Sequence, residues 1–424
     1  MVEVISAFFF IAVIIFAGFI TQIFFEKTKI SHFILLMLIG LLAGPLLGII
    51  PAPTILLFKG LTPFFATLAL IFLLFEGGLH LNFYKVLREL SRATSFTLMV
   101  FVLSVGFTTI ITFALGWDLL TGIFFGAVIG GTSSVVVVPL VAKLKSADET
   151  RTLLSLESAM TDALCVIVAI AVMQLVISKN IDLQVITQNI LGAFAIAAVL
   201  GSIFALLWLK LLRDYPSTRQ YQYLLTIAVL FILYVVVEFA KGNGAIAALV
   251  FGIILGNAME ITKMLRMKES QISVNVKIFQ SEISFFIVTF FFVYLGIIFE
   301  VQQFSLTLLL VAIALMLALL AARFISTTIF SYFDERIRKD NGIISVMTAR
   351  GLAAAVLATY PLTLNIPLKP EFMQITQLAF LVILLSNLVT TYGVFAYEKK
   401  GGAQTTGKQA LEKSQTLTEI SIEK

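Results

Sequence analysis

Charge is scarce in this chain: Asp, Glu, Lys and Arg make up 12% of its 424 residues, about half the share carried by an ordinary soluble domain. That scarcity excludes a solvated globular protein. Cysteine is nearly absent. The single Cys165 lies inside an apolar run, so a disulfide framework and a cysteine-built metal site are both excluded. Of the two histidines, His32 and His80, neither sits in the middle of an apolar stretch. Both are therefore poorly placed for intramembrane Ser/His chemistry, and Cys165 reads as packing.

What the chain has in abundance is apolar length. Hydrophobic residues make up 60% of it and the mean hydropathy is +1.05. A transmembrane helix needs about 20 mostly apolar residues. Thirteen such stretches are legible, at roughly 2–25, 31–50, 61–82, 93–116, 119–142, 151–178, 187–210, 220–239, 243–259, 277–299, 304–331, 341–361 and 373–396. The first is too long for a signal-peptide core and no small-residue cleavage site follows it, so it reads as a retained span. From residue 398 the chain turns polar and low in aromatics, as a disordered cytoplasmic tail would be, with no appended soluble domain. The chain thus divides into a membrane domain, 1–397, and a tail, 398–424.

The net charge of +5 and isoelectric point near 9.1 do not indicate nucleic acid, because the basic residues sit in short clusters between the apolar runs. With the amino terminus outside, the inner loops hold Lys27, Lys29, Lys85, Arg88, Arg92, Lys143, Lys145, Arg151, Lys210, Arg213, Arg219, Lys263, Arg266, Lys268, Lys277, Arg336, Arg338, Lys339, Lys399 and Lys400. The outer loops hold only Lys59, Lys179, Lys241 and Lys369. Such a bias sets an external amino terminus and a cytoplasmic carboxyl terminus.

An internal repeat is also visible. Span 2 carries Gly40, Gly44 and Gly48 and span 9 carries Gly252 and Gly256, each at a spacing of four that allows close helix approach. Seven helices separate them. Spans 1–6 and 8–13 would then be equivalent around span 7, and the odd offset makes the repeats inverted, as in many transporters. Span 5 contains Gly130-Gly131-Thr132-Ser133-Ser134 and span 12 contains Thr348-Ala349-Arg350-Gly351. Both runs invite a break in mid-membrane, and spans 5 and 12 are equivalent under the repeat.

Ionisable residues at membrane depth are costly and functional by default. Glu157 and Asp162 in span 6 and Arg350 in span 12 fall near mid-span. Arg323 reads as lying near the inner end of span 11, where it snorkels or meets a helix terminus. Ser158 and Asp162, four apart, share a helix face, as do Glu157 and Thr161. Hard cations prefer oxygen ligands. A site made from the Asp162 carboxylate, the Ser158 hydroxyl and the broken span 5 around Thr132 suits Na⁺ or K⁺. A carboxylate that takes a cation or a proton, but not both, is an exchanger in miniature. Glu157 is the expected ion-pair partner of Arg350. Glu76, followed by Gly77 and Gly78, is placed to draw cations into an inner funnel, and Glu282 is a weaker candidate.

Four stretches resemble one family, in its order: Leu74-Phe75-Glu76-Gly77-Gly78-Leu79, Leu156-Glu157-Ser158-Ala159-Met160-Thr161-Asp162, Phe291-Phe292-Val293-Tyr294-Leu295-Gly296 and Thr348-Ala349-Arg350-Gly351-Leu352. The chain resembles the monovalent cation/proton antiporters, specifically sodium–proton exchangers of the NhaP/NHE type. The resemblance implies an all-α polytopic protein of the cell membrane, with two inverted repeats, crossing interrupted spans 5 and 12, and a six-helix core moving against a dimer-forming interface domain. It implies a homodimer and no cofactor. It implies that Asp162 is the shared cation and proton site, with Ser158 and Thr132 as further ligands. Glu157 then contributes through water while tied to Arg350. Thr161 stands where the family usually has Asn, and Ser133 where it often has Asp, so Thr161 and Ser133 are expected to support the site with one titrating acid instead of two. Exchange of Na⁺ for H⁺, one for one, is the leading expectation. K⁺/H⁺ exchange is next. A channel-like K⁺ efflux protein is distant, because no GxGxxG unit follows residue 397.

The loop charges make a direct prediction. A topology reporter fused after Lys400 reads cytoplasmic and one placed before Val2 reads external; finding both ends on one side sinks this thirteen-span topology.

Overall fold

A computed structural model describes residues 2–28, 30–50, 55, 60–80, 92–142, 144, 146, 148–177, 183–214, 221–264, 274–333, 338, 340–364 and 370–422. Several of the basic loop residues counted above lie outside the described residues, among them Lys29, Lys59, Lys85, Arg88, Lys143, Lys145, Lys179, Arg219, Arg266, Lys268, Arg336, Lys339 and Lys369.

The described membrane region is helical apart from short breaks and connections, with no strand among the described residues. In order the helices are α1 (Val2–Thr28), α2 (His32–Leu41), α3 (Thr62–His80), α4 (Arg92–Ala114), α5 (Leu119–Gly130), α6 (Ser134–Ala142), α7 (Asp148–Ile177), α8 (Leu183–Asp214), α9 (Gln222–Phe239) and α10 (Gly244–Gly256). There follow α11 (Ala258–Met264), α12 (Val274–Ile297), α13 (Leu306–Phe333), α14 (Asn341–Val346), α15 (Leu352–Thr359) and α16 (Pro370–Ile422). Among the described residues, nine helices are long and apolar enough to cross a membrane, and four shorter ones are apolar: His32–Leu46, Gly244–Gly256, Glu282–Ile297 and Leu352–Thr363. Each overlaps a stretch read from the sequence as a span. Their outward faces carry exposed Phe16, Phe19, Val199, Leu207, Leu310 and Leu317, a lipid-facing surface rather than a wet one. The protein is a multi-pass membrane protein. α16 continues as helix past its apolar window, which ends at Lys399.

Two helix pairs frame the bundle, and glycine decides both. α2 packs on α12, and α3 packs on α10. A Cβ at Gly40 would lie 2.0 Å from the Val293 carbonyl oxygen, and one at Gly296 would lie 2.3 Å from that of Met37. In the second pair, a Cβ at Gly252 would meet the Phe75 carbonyl at 2.3 Å and one at Gly78 that of Leu249 at 2.4 Å. Only hydrogen fits between these backbones. Gly48 does not belong to the stripe. α2 widens into a π-helical turn at Leu42–Leu46, and Gly48 lies beyond it at φ +62°, supplying a left-handed turn.

The interior divides into two clusters. The smaller joins α3, α8, α9 and α10 through Phe75, Trp208, Leu233 and Phe251, with the Trp208 indole donating to Thr226 Oγ1 at 2.9 Å. The larger surrounds α5, α7, α15 and α16.

The glycine contacts can be tested by one methyl group. Gly252→Ala is expected to cost about 1–3 kcal/mol through overpacking and to lower the thermal midpoint in detergent. Gly77→Ala, whose Cβ would meet nothing within 4 Å, leaves it unchanged or raises it slightly.

Candidate ion-binding site

Two helices break and meet. α5 ends at Gly130 and α6 begins at Ser134; α14 ends at Val346 and α15 begins at Leu352. Both breaks fall where the Gly-Gly-Thr-Ser-Ser and Thr-Ala-Arg-Gly runs predict them. The strands of open backbone cross, and the Ser133 amide donates to the Ala349 carbonyl at 2.9 Å. Gly351 is required at this crossing, because a Cβ there would lie 2.0 Å from Ser133 Oγ.

Away from water, each freed backbone group needs a protein partner. α7 serves the first break. The Thr132 amide donates to Thr161 Oγ1 at 3.1 Å, and the Thr161 hydroxyl donates to the Thr132 carbonyl at 3.1 Å. α16 serves the second. The Arg350 amide donates to Ser386 Oγ at 3.1 Å and the Thr348 amide to Thr390 Oγ1 at 3.2 Å, while Asn387 Nδ2 donates to the Arg350 carbonyl at 2.7 Å. Thr161 is therefore a support of the break, and its hydroxyl does the work of both an acceptor and a donor.

Asp162 sits one residue further along α7, 9% exposed. Its Oδ2 accepts from the Ser134 amide at 3.0 Å and the Ser134 hydroxyl at 2.5 Å. This places the carboxylate on the first residue of α6, where the helix dipole favours negative charge. Among the described residues Asp162 makes no ion pair, and Oδ1 has no hydrogen bond. Ser158, on the same face, donates to the Ser155 carbonyl at 3.1 Å, which leaves the lone pairs of its oxygen available.

Glu157 departs from expectation. Its partner is Arg323, not Arg350. Arg323 Nη1 and Nη2 each reach one Glu157 oxygen at 2.8 Å, a bidentate pair, while Nε donates to the Ile344 carbonyl at 2.6 Å. Both side chains are buried, at 1% and 0% exposure. The Thr132 hydroxyl adds a third contact to Glu157 Oε1 at 3.0 Å. Arg323 does not snorkel, because α13 carries it inside the bundle against the Phe96 ring, 5.8 Å from the centroid. The part of the expectation that holds is the contact near a helix terminus, Ile344 being two residues from the end of α14. Arg350 turns back on its own unwound segment instead. Its Nη1 donates to the Thr348 carbonyl at 3.1 Å, and its buried Nε has no hydrogen-bond partner among the described residues.

The crossing thus brings together Thr132, Ser133, Glu157, Thr161, Asp162 and Arg350. Thr132's hydroxyl hydrogen is spent on Glu157, which leaves its oxygen lone pairs and the lone pair of its carbonyl beyond the Thr161 bond to serve a cation. Glu76 lies apart on α3, its Oε2 accepting from Ser284 Oγ of α12 at 2.5 Å. Glu282 is exposed. Cys165 is packing, its sulfur filling the space beside Gly131. Two residues escaped the sequence reading. Ser134 was read only as part of the break, though as first residue of a half-helix its amide and hydroxyl were the natural donors to Asp162. Arg323 was placed too near a membrane surface.

Crossed, interrupted membrane helices beside a carboxylate are the architecture of a secondary ion transporter. The chain belongs to the sodium/hydrogen exchanger family, whose transmembrane model matches residues 10–399. It is 26% identical to sodium/hydrogen exchanger 8 of Arabidopsis thaliana over 243 residues, which is 54% of this chain and 32% of that protein. It is 27% identical to Na(+)/H(+) antiporter 1 of Methanocaldococcus jannaschii over 186 residues, 42% of each chain. The matched segments span less than half the length of these curated relatives. Its fold is that of the sodium proton antiporter MjNhaP1 from Methanocaldococcus jannaschii, with a TM-score of 0.74 at 19% identity, covering 92% of this chain and 100% of the other.

The revised pairing has a measurable consequence. Glu157→Gln strands Arg323 and is expected to cost about 3–5 kcal/mol, seen as a lower thermal midpoint in detergent. Adding Arg323→Met recovers part of that loss. Adding Arg350→Met does not, and recovery by that variant instead would restore the Glu157–Arg350 pairing.

Proposed function

We propose that this protein exchanges Na⁺ for H⁺ across the cytoplasmic membrane by alternating access, with cation and proton competing for Asp162. The observation that carries this reading is the contrast between the two acids of α7. Glu157 is neutralised by Arg323, whereas Asp162 has one oxygen held by Ser134 and the other free. A desolvated carboxylate without a basic partner needs a counter-charge, and a proton or a monovalent cation supplies it equally. Ser158 and the Thr132 carbonyl complete an oxygen site suited to a hard cation. Glu76, at the inner end of α3, draws cations toward it. Li⁺, with the same charge and chemistry, is an expected surrogate.

Inverted repeats are supported by the packing. Under the relation of spans 1–6 to 8–13, the pairs α2–α12 and α3–α10 exchange with one another, and both are glycine-backed. Thr132 and Arg350, Glu76 and Tyr294, Gly78 and Gly296 are each separated by the same number of residues. Thr161 and Asp162 attend the break of span 5 as Ser386 and Asn387 attend that of span 12. Thirteen spans with an external amino terminus, a moving core and a homodimeric interface domain complete the reading. The relatives and the fold neighbour are named for sodium; K⁺/H⁺ exchange and channel-like K⁺ efflux gain no support from them.

In proteoliposomes, Asp162→Asn is expected to reduce Na⁺-driven proton flux to background while shifting the thermal midpoint little. Retained transport ends the proposal. Single-site competition also requires the apparent KM for Na⁺ to rise as pH falls, by up to about tenfold per unit where the proton occupies the site. One carboxylate trading one charge for another moves none across the membrane, so an imposed potential of 100 mV, worth about 2.3 kcal/mol per charge, leaves the flux unchanged. A voltage-driven flux would bring in a second charge.

A further inference from the structure

We propose that Tyr294 is the outer-gate residue of this exchanger: its hydroxyl, bonded to Thr62, latches the outer route shut and releases once in each cycle. The proposal rests on the exchange reading and on the membrane orientation given above.

α3 and α12 are cross-linked by polar side chains near both ends. Near one end, Glu76 of α3 accepts from Ser284 of α12 at 2.5 Å. Near the other, Tyr294 of α12 shares a hydrogen bond with Thr62 at the start of α3. Glu76 and Tyr294 are counterparts in the repeat, so the same helix pair presents a carboxylate on the inner side and a phenol on the outer. Their surroundings differ accordingly. Glu76 is partly exposed, whereas Tyr294 and Thr62 are buried, at 1% and 3%. Tyr294 lies parallel to Phe290, at 6° and 6.4 Å between centroids, and Phe65 packs on Phe290 at 4.5 Å. This aromatic plug spans α3 and α12.

The plug stands beside the outward path. α15 starts at the crossing, runs away from it to Thr359, and packs on both α3 and α12. The 3₁₀ turn that follows, Tyr360–Thr363, also packs on α3. An ion leaving Asp162 outward along α15 therefore meets the face formed by Thr62, Phe65, Phe290 and Tyr294. A hydroxyl pair suits such a place. While closed, the two groups satisfy each other without water. Once parted, both offer oxygen to a passing cation. A tyrosine used only for packing would need no partner at its tip as the gate opened.

The test reads the gate directly. Thr359, fully buried at the end of α15, is replaced by cysteine, and labelling by a membrane-impermeant maleimide is followed from the outer side. The parent chain, with Cys165 alone, gives the background. Removing one hydrogen bond of roughly 1 kcal/mol is expected to speed labelling about fivefold in Tyr294→Phe, which keeps the ring, and equally in Thr62→Val. Combining the two gives no further gain, since they break the same bond; additive acceleration would mean general loosening and overturn the proposal. Unchanged labelling in both single variants overturns it as well. In flux assays the shifted gate lowers the apparent KM for external Na⁺ and raises that for internal Na⁺, whereas a structural role moves both together. Because labelling needs no particular ion, failure of the exchange reading would appear as absent wild-type flux with the labelling difference intact.

Discussion

The open backbone at the crossing of the two broken helices is the constraint on which the rest of the molecule depends. A helix that unwinds in hydrocarbon exposes amides and carbonyls at a cost of several kcal/mol each unless protein replaces the lost partners. The Ser133–Ala349 bond joins the breaks to each other. The remaining groups are taken up by hydroxyls and an amide on α7 and α16. Those neighbours are consequently committed: Thr161, Ser386 and Thr390 hold backbone through their hydroxyls, and Asn387 holds it through Nδ2 while its buried Oδ1 has no hydrogen-bond partner among the described residues. What remains chemically free among the described residues includes the second oxygen of Asp162, the Ser158 and Thr132 oxygens and the Asn387 Oδ1.

The charges are distributed with the same logic. Arg323 and Glu157 cancel, with every oxygen of the carboxylate engaged. Such a pair does little for stability against an apolar replacement but is severely missed if halved. Its value here is positional. It ties α13 to α7, fixes Thr132 through a third contact, and reaches α14 through Ile344. Arg350 brings a positive charge to the carbonyls of the second break, while Asp162 brings a negative one to the amide end of α6. The crossing is therefore polarised by helix ends as much as by side chains.

Much of this was legible beforehand, and the reasons are specific. Apolar length located the membrane helices because the bilayer imposes length. The two breaks showed because glycine and small hydroxyl residues cluster in mid-span for few other reasons. Asp162 stood out because its depth is costly. The Glu157 partner was misread because distance from a span's edge is a poor guide to what a seven-atom side chain reaches. Arg323 lies on an intact helix that carries it to Glu157, whereas Arg350 lies on the unwound segment and turns back on it. Ser134 was missed because capping depends on where the half-helix resumes, a boundary that a run of Thr-Ser-Ser does not fix. The close fit of α2 on α12 was invisible in the α12 sequence, where Gly296 stands alone.

Backbone packed directly on backbone also governs how the protein can move. Two helices separated by side chains slide past one another as rotamers change; two helices in contact through glycine hydrogens have no such give. A shift of one residue along α3–α10 or α2–α12 would drive a side chain into a carbonyl. Each of these two pairs accordingly behaves as a stiff unit, and displacement has to be borne where the pairs meet through side chains, as α3 meets α12, and by the connections leading out of them. Lipid pressing on the exposed faces would reach the crossing as a push on one pair as a whole, never as a bend within it.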